Sequence, residues 1–271
     1  MLPYFHFESF SLGPLTIHVW GLFVSLGILA AVLFGYKLAK KYFLSGEVIL
    51  DMGVWMLIGA LIMARVFHVI FYDSAYYAQN PGDILKFWQG GASSLGGFFG
   101  AGVALYLFVK IKKFTCREIK PYLDIGALSL WLGWGVGRLG CFFTHLHPGR
   151  LSNFFLAVNL PDGARFDLGL LESILGFTLF AVFYLLFTRL IKKRWGLVAL
   201  YSVLSYAAVR FFFDFLRATD LPVSDARYFY FTPAQWGMLA LIAGLTFALF
   251  WGKLGQTSHP SSVRGETKGG V

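Results

Sequence analysis

Charged residues are scarce in this sequence of 271 residues: aspartate, glutamate, lysine and arginine make up 14% of it, and hydrophobic residues make up 57%. A soluble globular domain carries about a quarter charged residues. The chain therefore lacks the polar residues needed to cover a water-soluble globule, and its mean hydropathy of +0.66 agrees. This scarcity excludes an ordinary soluble enzyme and predicts an integral membrane protein.

Other absences narrow the classes of protein further. No lysine or arginine precedes the first apolar run, so the run lacks the basic region of a cleavable signal peptide and is predicted to be a retained helix. The two cysteines, Cys116 and Cys141, bracket one predicted span. Because about 25 helical residues at about 1.5 Å each would separate them by roughly 37 Å, they cannot form a disulfide. The last apolar run has no lysine for a retinal Schiff base.

What the sequence does have is a series of long apolar runs. A membrane-spanning helix needs about 20 mainly apolar residues, and we predict seven spans, at 15–36, 50–72, 94–111, 121–142, 168–188, 196–216 and 233–252. The linkers between them are short, which favours a single membrane domain over residues 1–253. We therefore predict an all-α polytopic membrane protein, with residues 254–271 forming a disordered cytoplasmic tail.

The basic residues, which give the chain a formal net charge of +9, are unevenly distributed. The first, third and fifth loops hold twelve of the 23 and the tail holds three, whereas the second, fourth and sixth loops hold five. The positive-inside rule then places the odd loops and the tail in the cytoplasm and the N-terminus outside. Topology thus explains the positive charge, and nucleic acid is not an expected partner.

Three arginines remain inside predicted spans: Arg65, Arg138 and Arg210. Ionisable residues at bilayer depth are costly and are by default candidates for function. For Arg65, which has His68 one turn away, a purely structural role stays open. Arg138 lies between glycines, which allow a ligand or another backbone to approach closely.

The sequence around Arg210 places several polar groups on one helix face. Tyr206, Arg210, Asp214 and Arg217 follow the spacing i, i+4, i+8 and i+11, and Glu172 lies about one turn inside the fifth span. Two or three arginines against two carboxylates leave positive charge, which suits an anion such as a lipid phosphate. The alternative is that the carboxylates merely balance the arginines.

Two polar stretches offer other candidate residues. His145 and His147, with Cys141 nearby, could bind a metal, but no further ligand is evident and we predict no metal. The histidines then serve either as loop residues or in acid–base chemistry beside the arginines. The segment 89–100 contains the doublet Gly96-Gly97 but lacks the lysine and spacing of a phosphate-binding P-loop.

Four stretches resemble, in order, the prolipoprotein diacylglyceryl transferase family: 15–22, 89–100, 137–142 and 206–217. The resemblance extends from about residue 10 to about residue 252. It implies transfer of a diacylglyceryl group from phosphatidylglycerol to the lipobox cysteine of preprolipoproteins, with release of glycerol phosphate. It also implies a multi-pass protein of the bacterial inner membrane, a site toward its outer face, and no cofactor. The expected partners are phosphatidylglycerol, preprolipoprotein signal peptides and bilayer lipid.

The resemblance also implies roles for individual residues. Arg138 would bind phosphatidylglycerol, Arg210 would be the essential second arginine, Glu172 would orient an arginine, and Tyr206 would supply a hydroxyl. These residues form the expected catalytic and lipid-binding centre. The other residues expected in the substrate site are Gly96, Gly97, Gly137, Cys141, His145, His147, Asp214 and Arg217.

The chain departs from the family pattern at several of these positions. Leu95 stands where the family often has histidine or tyrosine, Cys141 where asparagine is common, and Asp214 where a glutamate is usual. Of the segment 166–172, only Leu170 and Glu172 match. Because Leu95 cannot take a proton, we hypothesise that His145 or His147 takes it or that no dedicated base is used. Alternative functions are a non-catalytic lipid-binding relative, another phospholipid headgroup transferase, or a transporter.

Overall fold

The computed structural model describes residues 1–86, 90–221 and 227–254, and helices account for most of them. Short 3-10 turns at Pro81–Leu85 and Asp214–Leu216 supplement the α-helices. The α-helices are α1 (Val19–Lys41), α2 (Gly46–Phe71), α3 (Ser74–Gln79), α4 (Ser94–Ile111), α5 (Cys116–Phe143), α6 (Leu168–Lys193), α7 (Leu197–Phe213) and α8 (Pro233–Leu254).

Five segments of the described chain are long and apolar enough to cross a membrane: α1, α2, α5, α6, and α7 with the turn that follows it. Shorter apolar helices, at Leu95–Ile111 and Pro233–Phe247, coincide with the third and seventh predicted spans. The prediction of an all-α polytopic membrane protein is confirmed. The count of seven spans and the outward N-terminus stay predictions, and the predicted tail lies almost entirely outside the described residues.

Helix boundaries differ from the apolar runs at two places. The first helix begins at Val19, four residues after the predicted start, because Leu15–His18 (β2) pairs antiparallel with Ser9–Leu12 (β1). The helix α5 begins at Cys116, five residues before the predicted start, because Thr115 and Glu118 form a capping box at its N-terminus. Apolar runs mark the part of a helix that suits lipid, and helices extend beyond them.

A small antiparallel sheet lies between α5 and α6 in the chain, with strand order β3 (Pro148–Leu151), β5 (Gly163–Asp167), β4 (Val158–Leu160). The buried Arg165 on β5 ties this sheet to the segment that follows α7. Its guanidinium lies 2.8 Å from Asp162 and 2.6 Å from Asp220, and its hydrogen bonds to Asp220 lower the pKa of the Asp220 carboxyl. Together with the backbone bridge between Gly149 and Arg217, these contacts hold the sheet beside the end of α7.

The buried apolar core extends from one end of the bundle to its middle, where Trp131 and Leu175 belong to it. It includes Leu38 from the end of α1, Ile49 from the start of α2, Ile125 from the start of α5 and Phe187 from the end of α6. By the predicted topology this is the cytoplasmic end. Near the middle of both helices and toward the other end, α5 approaches α1 closely: a Cβ atom on Gly27 would lie 2.5 Å from the carbonyl oxygen of Gly133. Arg138 of α5, Glu172 of α6 and Arg210 of α7 lie toward that opposite end.

Asp124 on α5 caps the N-terminus of α7, a contact the sequence did not predict. Its carboxylate is fully buried and accepts hydrogen bonds from the backbone N–H of Gly196 (2.6 Å) and of Ala199 (2.8 Å).

Replacement of Asp124 by alanine would leave both N–H groups without an acceptor. We expect Asp124→Ala to lower the free energy of unfolding by about 2 kcal/mol, measured by thermal unfolding in detergent.

A matched control is Asp51→Asn, because Asp51 also pairs across helices, 2.9 Å from Lys112, but both side chains are about half exposed. An exposed ion pair contributes about 0–1 kcal/mol, so this variant should melt no more than about 2–4 °C below the wild type. Equal melting temperatures for Asp124→Ala and the wild type would contradict the capping role.

Candidate functional site

Three long helices each contribute one charged side chain to a single cluster. Glu172 of α6 lies between the arginines of its neighbours, with Oε2 2.9 Å from Nε of Arg138 on α5 and Oε1 3.2 Å from Nε of Arg210 on α7. The Glu172 side chain is 3% exposed, that of Arg210 11%, and that of Arg138 20%. One buried carboxylate thus holds two guanidinium groups together.

Asp214 supplies the second carboxylate of the cluster. It is fully buried, and its Oδ1 lies 2.6 Å from Nη1 of Arg210 and 3.7 Å from Nε of Arg217. The predicted polar face of α7 therefore forms, with i, i+4 and i+3 pairs. Three arginines and two carboxylates leave these five side chains with a net charge of +1, so the site favours an anion.

The first turn of α8 holds Asp214 in place. The Thr232 hydroxyl donates to Oδ2 of Asp214, and its backbone N–H donates to Oε1 of Gln235 at 3.0 Å. The Gln235 amide in turn donates to the carbonyl oxygen of Phe211 at 3.1 Å. The sequence does carry the signal for this arrangement, since Thr232-Pro-Ala-Gln235 is a capping-box pattern with proline at the first helical position, but it does not reveal the link to Asp214.

One aromatic ring packs directly against the Arg138 guanidinium, and two further rings pack beside it. The guanidinium lies over the Trp134 ring, 4.5 Å from its centroid, and its Nη1 lies 3.8 Å from the Cys141 sulfur. The Tyr206 ring meets Trp134 nearly edge-on at 5.8 Å and Trp131 at 5.0 Å. The structure therefore brings together Arg138, Cys141, Tyr206, Glu172 and Arg210, as the sequence predicted, and adds the two tryptophans, which it did not.

The two predicted histidines have different surroundings. His145 has both ring nitrogens engaged, Nδ1 with Oδ2 of Asp167 at 2.7 Å and Nε2 with the carbonyl oxygen of Phe5. Since Asp167 also caps α6 by accepting from the N–H of Leu170, His145 fixes the start of the helix that carries Glu172. His147 is half-buried, and burial together with the charges of Arg138, Arg217 and Arg210 lowers its pKa to about 3.

Arg65 has a different environment from the other two arginines within predicted spans. Its guanidinium is buried and donates to backbone carbonyls of residues 83–86 and 90–91, those of Asp83 (2.7 Å), Ile84 (2.9 Å) and Gly91 (2.9 Å) among them. A guanidinium that binds so many carbonyls holds these two stretches against α2. This arrangement favours the structural role that the sequence left open.

The first turn of α4, which contains the doublet Gly96-Gly97, packs against α2. A Cβ atom on Gly96 would lie within 2.6 Å of the Phe67 side chain, so helix packing alone requires glycine there. Gly97 and Gly137 have nothing closer than 3.9 Å to their would-be Cβ atoms, and their assignment to substrate binding stays a prediction. Gln89 lies outside the described residues. Leu95, in the first turn of α4, is 60% exposed.

The fold and site define a class of protein: a polytopic helical membrane protein with a buried arginine–carboxylate network where three helices meet. The family model described as prolipoprotein diacylglyceryl transferase matches residues 8–251. The chain belongs to the prolipoprotein diacylglyceryl transferase family, a family of membrane transferases, and the resemblance seen in the sequence is confirmed.

Individual relatives agree with this assignment. The chain is 31% identical over 258 residues to a phosphatidylglycerol–prolipoprotein diacylglyceryl transferase of Lactiplantibacillus plantarum, covering 90% of this chain and 85% of the relative. It is 30% identical over 259 residues to the protein of that name from Nitrosomonas europaea, covering 92% and 90%. A third relative of that name, from Trichormus variabilis, is 30% identical over 230 residues, covering 80% of each chain. The similarity thus extends over the helices that carry the cluster.

Proposed function

We propose that this protein transfers the diacylglyceryl group of phosphatidylglycerol to the cysteine thiol of prolipoproteins, the first step of bacterial lipoprotein maturation. The observation that carries the proposal is the bridge formed by Glu172, which holds Arg138 and Arg210 from two other helices at 2.9 and 3.2 Å. The printed names of the relatives describe this activity for those proteins, and the +1 cluster suits a phosphodiester anion.

The reaction needs one bond to form and one to break. The cysteine sulfur attacks the carbon of the diacylated glycerol that is joined to the phosphate through oxygen. A carbon–sulfur bond forms there, and the bond between that carbon and the phosphate oxygen breaks. Glycerol phosphate leaves with the electron pair of that bond, and the thiol proton ends on the released phosphate. Charge on the phosphate oxygens grows as the bond breaks, so paired guanidinium groups stabilise the transition state more than the bound lipid.

Each residue of the cluster has a part in this proposal. Arg138 and Arg210 bind the phosphate oxygens, and Glu172 sets the distance between the two guanidinium groups. Asp214 holds Arg210 from the far side at 2.6 Å, and Thr232 holds Asp214. The guanidinium groups also favour the thiolate over the thiol, whose ordinary pKa is about 8.5. The positive field thus acts on both the nucleophile and the leaving group.

Neither histidine is suited to accept the thiol proton. His145 has both ring nitrogens committed to Asp167 and Phe5. The pKa of His147 is about 3, more than about five units below that of a free thiol, so proton transfer from the thiol to His147 is strongly unfavourable. We therefore propose that no dedicated base is used and that the proton is transferred to the leaving phosphate.

This proposal predicts the pH dependence of transfer. Because its folded-state pKa is lowered from 6.5 to about 3, His147 is neutral throughout the usual assay range. Any stability linked to this shift is present above about pH 6.5 and is lost as the pH falls toward 3. We expect no step in the rate near the ordinary histidine pKa of about 6.5, and His147→Gln should change the rate by less than about tenfold, the loss of at most one neutral hydrogen bond.

The measurement is the initial transfer rate from about pH 5.5 to about pH 9, the range that spans the ordinary histidine and thiol pKa values. His145→Gln is the comparison, and we expect it to lower thermal stability because it releases Asp167 and Phe5. A step in the wild-type profile near pH 6.5 that His147→Gln abolishes would show that His147 is the base and contradict the proposal.

We propose that the site faces the outer side of the bacterial inner membrane and receives signal peptides of preprolipoproteins there. The predicted distribution of basic residues supports this orientation, which puts the last turns of α5 and α7 at the outer surface. Complementation of a strain depleted of its own transferase tests the function. The strain is expected to grow and to contain lipidated lipoproteins. If the protein folds but restores neither growth nor lipidation, it is a non-catalytic member of the family.

A further inference from the structure

Three buried side-chain polar atoms among the described residues have no hydrogen-bond partner: Nε1 of Trp131, Nε1 of Trp134 and Oε2 of Glu172. Glu172 Oε2 has an ion-pair contact with Arg138, so its charge is compensated. The two indole N–H groups have no such compensation. Leaving a buried donor unsatisfied costs about 1–3 kcal/mol, and such groups in a native protein call for an explanation.

Trp134 lies where a bound phospholipid would continue from its phosphate toward its acyl chains. It is one helical turn from Arg138 toward the core, about 6 Å along the axis of α5, and the guanidinium lies on its ring at 4.5 Å. In a bilayer, the polar interfacial layer adds about 5–8 Å to each side of the hydrocarbon core, so ester groups lie at about this depth below the phosphate.

Trp134 is also close to the lipid-facing surface of the bundle. Its ring lies 5.7 Å from that of Phe98 on α4, and Phe98 is 57% exposed. Trp131 differs, because it is 3% exposed and belongs to the apolar core. A lipid that places its phosphate at Arg138 therefore lies beside Trp134, whose N–H is buried, and reaches that N–H by displacing the side chains that cover it. Trp131 lies deeper, within the core.

The chemistry of the two groups is complementary. An indole N–H donates a hydrogen bond and cannot accept one, and the ester carbonyl of an acyl chain only accepts. We propose that the Trp134 indole N–H donates to an ester carbonyl oxygen of the bound diacylglyceryl group, which makes Trp134 a substrate-binding residue that selects ester-linked over ether-linked phospholipid. The inference rests on the proposed function and names the part of the donor lipid that Trp134 recognises.

The test compares two donor lipids, phosphatidylglycerol with ester-linked chains and phosphatidylglycerol with ether-linked chains, in vesicles with a lipobox peptide. Both carry the same carbon–oxygen–phosphorus linkage, so the same bonds form and break. One hydrogen bond between neutral groups corresponds to about a two- to tenfold effect. We expect the wild type to prefer the ester lipid by that factor.

Trp134→Phe keeps an aromatic ring under Arg138 but removes the N–H. We expect the ratio of its transfer rate from the ester lipid to that from the ether lipid to fall toward the ratio of the uncatalysed reactions. Transfer from the ester lipid should become slower, and transfer from the ether lipid should stay the same. Trp131→Phe is the matched control, since it removes an equally unpartnered N–H from the same helix. Its ratio should equal that of the wild type, and any general loss of packing cancels in the ratio.

The outcomes separate this inference from the function on which it rests. Transfer by the wild type with a ratio that Trp134→Phe leaves unchanged would overturn the role of Trp134 and leave the transferase function standing. A change of the ratio in Trp131→Phe as large as in Trp134→Phe would overturn it as well. A folded wild type that transfers from neither lipid would overturn the proposed function and this inference together.

Discussion

Replacing Arg210 with alanine is expected to reduce the transfer rate by about 10²–10³-fold, the loss typical of removing one donor that stabilises transition-state charge. Arg210 contacts both carboxylates of the cluster, Glu172 at 3.2 Å and Asp214 at 2.6 Å, through different nitrogens. Alanine removes the guanidinium from the phosphate and leaves Asp214 with Arg217 alone among the cluster's arginines. The measurement is the initial rate of thioether formation with vesicle-borne phosphatidylglycerol.

Two comparison variants make this result specific. Arg210→Lys keeps the charge, but a single ammonium cannot reproduce the two-nitrogen contact, so we expect a loss of about 10-fold or more. Arg189→Ala removes an exposed arginine near the far end of α6 and should transfer at the wild-type rate. Wild-type activity in a folded Arg210→Ala protein would exclude Arg210 from the reaction.

Replacing Glu172 with glutamine is expected to have the second largest effect. The substitution keeps the shape of the side chain and removes the buried charge that both Arg138 and Arg210 share. Breaking a buried ion pair by removing one partner costs about 3–5 kcal/mol, and displacement of the guanidinium groups by about 1 Å reduces the rate by about 10²-fold. Thermal unfolding and the transfer rate, measured on the same preparation, give the two quantities.

The neighbouring residue provides a matched control. Ser173 is as deeply buried as Glu172 and donates to the carbonyl oxygen of Gly135 at 2.7 Å, but it carries no charge. Ser173→Ala should lose about 1 kcal/mol of stability and keep nearly all of the activity. If Glu172→Gln behaved like Ser173→Ala, the shared carboxylate would have no role in positioning the arginines.

Contacts within one helix were predictable from the sequence. The spacing of Tyr206, Arg210, Asp214 and Arg217 fixes their common face because 3.6 residues complete a turn, and the structure has the expected pairs. Apolar runs likewise located the helices, because the bilayer demands about 20 apolar residues per span. Their ends were less predictable, since local hydrogen bonds such as the Thr115 capping box determine them.

Contacts between helices were not predictable from one sequence. Nothing in the local pattern assigns Asp124 to the start of α7, 72 residues away, or Thr232 to Asp214. Trp134 lies in an apolar run in which a tryptophan suggests only packing, and its unsatisfied N–H becomes visible once its neighbours are known. The polar residues of the site could be identified as candidates because placing them in a membrane is costly, but their partners depend on how the helices pack.

The measurement that tests the central claim most directly is transfer in vitro from phosphatidylglycerol to a lipobox peptide, with the thioether product identified by mass. The purified wild type should produce the diacylglyceryl peptide and release glycerol phosphate in equal amounts. Arg138→Ala should form the product at least about 10²-fold more slowly. A peptide with serine in place of cysteine should give no product. A folded wild type that forms no thioether, or an Arg138→Ala variant as active as the wild type, would contradict the account.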